Sequence, residues 1–157
     1  KQLDRALERL AERMAIDLGI SVHTLKGGGA AGGLGAGMTA FCGASLRPGS
    51  KLVLDAVGFD QHLHGCDLVI TGEGQTEAQS AMGKAPQEIA RRAKSQGVPA
   101  VCVSGGLKEG YERLHNHGMT ALFSLVPYPC ELNEAMAQAP AWMARAVSEI
   151  MRIYRIQ

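Results

Sequence analysis

Three short, largely apolar runs constrain what the second half of this chain can fold into. They are Asp67–Thr71 (Asp-Leu-Val-Ile-Thr), Ala100–Ser104 and Thr120–Leu125, and the first two stop at glycines, Gly72 and Gly105-Gly106. Apolar runs of this length without alternation are the pattern of strands buried on both faces. Between and after them the pattern is helical. Pro86–Ser95 opens on proline and is followed by Gly97, a second helix is expected through Leu114, and Met136, Met143, Val147, Ile150 and Tyr154 mark a long C-terminal helix with Pro140 near its beginning. Strand, helix, strand, helix, strand with right-handed crossovers is a parallel sheet with helices on its faces. Aromatic residues are only 4% of the chain, so the core is drawn from Ala, Val, Leu, Ile and Met. That composition suits helices packed on a sheet better than a β-sandwich.

The first part of the chain does not share this alternation. Leu3, Leu7, Leu10, Met14 and Leu18 recur at helical spacing, which predicts an amphipathic helix from Gln2 to Leu18 stopped by Gly19. Lys26-Gly27-Gly28-Gly29-Ala30-Ala31-Gly32-Gly33-Leu34-Gly35-Ala36-Gly37 follows. It has no bulk to pack for itself, so other backbone or a ligand must approach it closely. Its second half is expected to begin a helix running to Ala44. Pro48-Gly49 reads as a turn, with a further helix to Val57. A second subdomain is therefore expected, with a candidate ligand cleft between it and the sheet.

The charge balance gives no footprint for nucleic acid or anionic lipid, with 16 Lys and Arg against 15 Asp and Glu. No stretch has the unbroken apolar length of a membrane span, and no secretory leader pattern opens the chain. Cys42, Cys66, Cys102 and Cys130 are far apart, with no Cys-x-x-Cys pair, so reduced and buried thiols are expected in a cytoplasmic protein. The start at Lys1, without Met and inside a helical pattern, leads to the expectation that sequence upstream is missing.

Thr71–Lys84 is the segment richest in chemistry. A polar loop of this length between a buried strand and a helix is longer than such connections need, and ligands bind outside the carboxyl ends of parallel strands. Glu73, between Gly72 and Gly74, has a carboxylate that can bind Mg²⁺ or orient a hydroxyl. Ser80 and Lys84 fall near a helix N-terminus, where backbone N–H groups, the helix dipole and a compact cation favour phosphate. The plainer reading is a solvated loop, with Ser80 as a cap and Lys84 on the surface. The Gly27–Gly37 segment matches neither a P-loop nor a dinucleotide fingerprint. It can hold an anion on nested N–H groups or serve close helix packing. His62 with His64, and His115 with His117, are better read as residues near helix ends than as zinc ligands.

Two of these segments carry a family likeness. Gly29-Ala30-Ala31-Gly32-Gly33-Leu34-Gly35-Ala36-Gly37 resembles the glycine-rich signature of bacterial-type glycerate kinases, the type 1 family. Asp67-Leu68-Val69-Ile70-Thr71-Gly72-Glu73-Gly74, with Gln79-Ser80 and Gly83-Lys84, is similar to that family's second signature. Leu52–Ala56, Arg92–Pro99 and Phe123-Ser124 also fall where the family has like residues, so the resemblance runs through nearly the whole chain.

The resemblance implies an α/β enzyme longer than this chain. Residues 1–65 would be the end of an inserted glycine-rich subdomain, and 66–157 the returning half of a nucleotide-type, three-layer parallel α/β domain. The preceding half of the polypeptide would complete the site, and the isolated piece would be inactive. ATP, Mg²⁺ and glycerate are the implied ligands and phosphoglycerate the product; a homodimer is left open. Glu73 would hold metal or orient substrate, Lys84 and Ser80 would hold phosphate oxygens, and Gln79 a substrate hydroxyl or carboxylate. Gly29, Gly32, Gly33, Gly35, Thr71, Gly72, Gly74 and Gly83 would line the site. The chain departs from the family pattern at Gln75 (usually Arg), Glu77 (usually Asp), Lys26 (usually Pro), Gly28 (usually Ala) and Ser104-Gly105-Gly106 (Ala-Gly-Ser). Losing an arginine removes a bidentate phosphate donor. The alternative expectation is an α/β module that binds a small organic acid without catalysis or with altered specificity.

Overall fold

The computed structural model describes residues 2–81 and 83–155. The chain divides into two compact units, Lys1–Pro48 and Gly49–Gln157.

In the first unit, α1 (Gln2–Leu18) has the predicted bounds. It turns Ala11 and Met14 inward onto Val22 and Ala40. Gly19 ends the helix in a left-handed conformation, φ +69°, with its N–H on the Ala15 carbonyl at 3.1 Å. A Cβ there would carry the αL penalty, which glycine escapes. The second helix, α2 (Ala30–Cys42), is interrupted at its start, because Ala31, Gly32 and Gly33 have left-handed φ values of 50°, 68° and 91°. Regular helix therefore begins in the second half of the glycine segment, as expected.

The second unit is a three-stranded parallel sheet in the order β1 (Val69–Glu73), β2 (Ala100–Ser104), β3 (Met119–Ser124). Alternation along β2 defines the layers. Ala100 and Cys102 face Ala90 and Ala93 of α5 (Ala85–Ser95), Leu114 of α6 (Arg113–Asn116) and Leu63. Val101 and Val103 face Leu125 and Ile150, the latter on α7 (Leu132–Tyr154). A central strand covered on both sides explains the apolar run that announced it. No helix among the described residues is long and apolar enough to cross a membrane.

Several expectations need correction. β1 runs two residues further than the Asp67–Thr71 run, because Val69 N–H bonds the Pro99 carbonyl and pairing continues until Glu73 lies opposite Ser104. Glu73 is thus the last residue of the strand instead of the start of a loop. α6 is a single turn, because Leu107 bridges to Thr76 and Lys108 N–H bonds the Thr76 carbonyl at 2.8 Å, holding that stretch extended. Pro140 lies well inside α7. Of the four free thiols only Cys102 is buried, while Cys42 and Cys66 are exposed.

Residues 49–65, expected with the first unit, pack instead with the sheet. Leu63 and Phe59 join the apolar cluster with Ala90 and Ala93, and Arg92 on α5, which is 5% exposed, adds polar ties. Its guanidinium donates to Glu88 Oε1 at 3.0 Å, to Asp55 Oδ1 at 2.6 Å and to Asp60 Oδ2 at 3.0 Å. It also reaches the Lys51 carbonyl at 3.4 Å. Asp55 belongs to α3 (Gly49–Ala56) and Asp60 to α4 (Phe59–His62), so one cation ties both helices to α5. Burying a guanidinium costs several kcal/mol unless its donors are matched, and here the fork is matched on several sides.

Within this cluster the bond from Arg91 acts most strongly on the Glu88 carboxyl. Burial opposes it, the Arg92 bond adds to it, and together they lower its pKa from 4.5 to about 2. A carboxylate whose pKa falls on folding stabilises the native state above its unfolded-chain value and loses that contribution as pH drops through the folded value. The window is therefore pH 4.5 down to about 2, and the shift corresponds to something on the order of 3 kcal/mol. Urea unfolding at stepped pH should show this acid slope in the native sequence and a flatter profile in Glu88→Gln; equal slopes in the two proteins would contradict the assignment.

Candidate functional site

The carboxyl ends of β1 and β2 leave the sheet side by side, and two glycines make this possible. A Cβ on Gly72 would stand 2.6 Å from the Val103 carbonyl oxygen, and one on Gly105 would collide with the Gly74 carbonyl oxygen. Gly105 N–H in turn bonds the Glu73 carbonyl at 3.1 Å, and Thr76 N–H bonds the Gly106 carbonyl at 2.9 Å. The loop after β1 is thereby stitched to the loop after β2.

This stitching sets the position of the Glu73 side chain, which is half-buried. Its Oε1 accepts the Thr76 hydroxyl at 2.8 Å. Thr76 is fully buried and hydrogen-bonded to the equally buried Ser104 hydroxyl. Cys102 Sγ lies 3.7 Å from Ser104 Oγ and 4.0 Å from Thr76 Oγ1. Burial pushes the Cys102 thiol up, so it stays protonated at neutral pH. Thr76 carries no sequence signal of its own, and Ser104 stands out in the sequence as a departure from the family pattern, without a role. The available signal was Ser104 as the polar end of an otherwise apolar strand, on the same face as Cys102.

The remaining residues of the second signature separate by environment. Thr71 and Glu73 are half-buried on β1, and Gly72 and Gly74 are exposed. Ser80 is fully buried in a 3-10 turn, Ala78–Ala81, where its hydroxyl accepts the Glu77 N–H at 3.2 Å. That geometry makes Ser80 a turn-closing residue with no face open to a phosphate. Gln79 belongs to the same turn, and its side chain lies outside the described residues. Gly83, at φ +93°, donates its N–H to Gln87 Oε1, and its carbonyl accepts the Ser50 hydroxyl at 3.0 Å. Its amide is therefore occupied. Lys84 is exposed at the N-cap of α5, where Pro86 has no N–H to offer.

Within the first unit, Gly29 and Gly33 line a cleft of about 310 Å³ with Leu7, Met14 and His23. Packing accounts for part of the glycine content. A Cβ on Gly33 would run into the Leu7 side chain, and one on Gly35 would stand 2.8 Å from the Gly27 carbonyl oxygen. Gly32 is exposed with open space around it, and its φ of +68° is what calls for glycine. The histidine pairs do not converge. His115 Nδ1 contacts the Met119 carbonyl at 2.8 Å, and His117 contacts the Gln87 amide. Among the described residues no three His, Cys, Asp or Glu side chains cluster as a metal cage would require.

The model of the glycerate kinase family matches residues 1–155. The chain belongs to the glycerate kinase family. It is 43% identical over 150 residues to a glycerate kinase of Halalkalibacterium halodurans, covering 96% of this chain and 40% of that protein. It is 38% identical over 149 residues to a glycerate 2-kinase of Escherichia coli K12, covering 95% of this chain and 39% of that one. A crystal structure assigned to glycerate kinase 2 of Salmonella typhimurium LT2 superposes with a TM-score of 0.69 at 39% identity, over 98% of this chain and 40% of that one. The chain thus spans about 40% of the length of the glycerate kinases it matches. The residues read as departures from the family differ in setting: Gln75 is exposed, Glu77 half-buried and Ser104 fully buried.

The stitched strand ends make a contrast that can be measured. Gly105→Ala should destabilise the protein by about 1–3 kcal/mol, since the new methyl meets main chain that cannot turn aside. Gly106→Ala, where a Cβ has nothing within 4 Å, should stay within about 0.5 kcal/mol. Thermal or denaturant unfolding of the two variants checks the difference.

Proposed function

We propose that the protein carrying this chain transfers the γ-phosphoryl group of ATP to a hydroxyl of D-glycerate, with the second unit supplying part of the site. The reading rests on the near-complete match to the glycerate kinase family, together with the Glu73 carboxylate held at the carboxyl end of β1. Parallel sheets bind their ligands at that end. Phosphoryl transfer asks the protein mainly for positioning and charge compensation, and a well-placed carboxylate suits the first of these.

The fit to Mg²⁺ can be judged from the donors. This ion keeps several waters and takes one or two carboxylates plus phosphate oxygens, so it needs no complete protein cage. Glu73 Oε2 has no hydrogen-bond partner among the described residues and is the oxygen available to it. When bound there, Mg²⁺ would supply charge neutralisation at the phosphate oxygens. Lys84, exposed at the start of α5, would attract the same anion as a point charge. Gly74 and Gly106, where a Cβ would meet nothing within 4 Å, would admit the substrate close to main chain. Ser80 is left out of the phosphate contacts because its hydroxyl is buried in the turn. The exposed thiols of Cys42 and Cys66 suit a reducing, cytoplasmic setting.

Gln75 and Glu77 favour a second reading, in which the fold binds a small organic acid without turnover. Glycerate-dependent ATP consumption by the full-length protein separates the two. Under the kinase reading, Glu73→Gln should lower kcat more than about tenfold, at least ~1.4 kcal/mol of transition-state stabilisation. Lys84→Ala should act chiefly on KM for ATP. Turnover unchanged in Glu73→Gln would remove this carboxylate from the mechanism.

A further inference from the structure

The structure assigns Thr76 and Ser104 a positioning role: a directed chain of buried hydroxyls that fixes which oxygen of Glu73 faces the ligand. This inference rests on the reading of Glu73 given above and deepens it.

Proton bookkeeping sets the direction of the chain. An ionised carboxylate only accepts, so Thr76 must donate its single hydroxyl proton to Glu73 Oε1, at 2.8 Å. The Thr76 oxygen is then free only to accept, and the bonded Ser104 hydroxyl must be its donor. Ser104 Oγ can in turn accept the Cys102 thiol proton at 3.7 Å. Thr76, Ser104 and Cys102 are all 0% exposed. In a dry setting a charge-assisted bond is strengthened by the donor behind it, and water does not compete for it.

Geometry fixes the consequence. Oε1 is committed to the interior, so the carboxylate cannot rotate freely and presents Oε2 alone. A side chain at the end of a strand, flanked by two glycines, would otherwise sample several rotamers.

A merely structural role would be satisfied by any bonding that leaves no buried polar atom unpaired, so the test must read through Glu73. In the full-length protein, Thr76→Val keeps the shape of the side chain and removes the hydroxyl; Thr76→Ser keeps the hydroxyl. The expected result is a fall in kcat of about tenfold for Thr76→Val, roughly 1.4 kcal/mol, with Thr76→Ser restoring most of it. In a Glu73→Gln background, Thr76→Val should change kcat less than about twofold, the non-additivity of groups acting in series.

An activity-independent readout accompanies this: the Thr76 hydroxyl proton, buried and bonded, should give a slowly exchanging downfield NMR resonance. It should vanish in Thr76→Val and shift in both Glu73→Gln and Ser104→Ala. Wild-type kcat in Thr76→Val, with Glu73→Gln impaired, would overturn the positioning role while leaving Glu73 in place. Wild-type kcat in Glu73→Gln would remove the reading on which the role depends. A full additive loss from Thr76→Val in the Glu73→Gln background would overturn it too, by showing that the hydroxyl acts independently of Glu73.

Discussion

Main-chain contact between the exits of β1 and β2 is the constraint on which the candidate site depends. Two parallel strands normally diverge once their ladder ends, because the connections leave for opposite neighbours. Here Gly72 and Gly105 remove the side chains that would hold the exits apart, and bonds from Gly105 and Thr76 draw them together. Thr76 then sits over Ser104, and Glu73 has a fixed partner. Without those glycines the hydroxyls could not meet, whatever their identity.

Charge and dispersion divide the labour in the sheet unit. The interior between the sheet and its helices is made of small aliphatic side chains and holds by close packing. The junction of α3 and α4 with α5 adds to the apolar contacts of Phe59 and Leu63 one buried guanidinium and its carboxylates. Apolar layers tolerate small shifts of register between helices, whereas a forked cation accepts its partners in few directions. The ionic junction therefore fixes angle and position, while the apolar layer supplies most of the adhesion.

Much of this was legible in the sequence. Runs without alternation announced β2 and β3, and Leu spacing with Gly19 announced α1 and its C-terminal stop. The two signatures pointed to the family because long ordered motifs are specific. What escaped has physical causes. Pairing across the sheet carried β1 on to Glu73, since a glycine in a strand is no barrier when a close neighbour needs the space. Bridging to Thr76 kept the stretch after β2 extended where helix was expected. Ser80 looked like a phosphate ligand because it precedes a helix, yet burial turned its hydroxyl inward. The grouping of residues 49–65 with the sheet draws on Leu63 and Phe59 and on Arg92, some 30 to 40 positions away along the chain, and pairing at that range leaves no periodic trace.

Pro140 within α7 has a consequence for how that helix opens. With no N–H to offer, it leaves a missing rung in the hydrogen-bond ladder, and its ring crowds the carbonyl of Met136. The segment before it carries the exposed Leu132 and Met136, whereas Trp142 and Ile150 beyond it are buried. The leading turns can therefore fray without drawing the anchored remainder with them, so amide protons ahead of the proline should trade with deuterium well before those behind it.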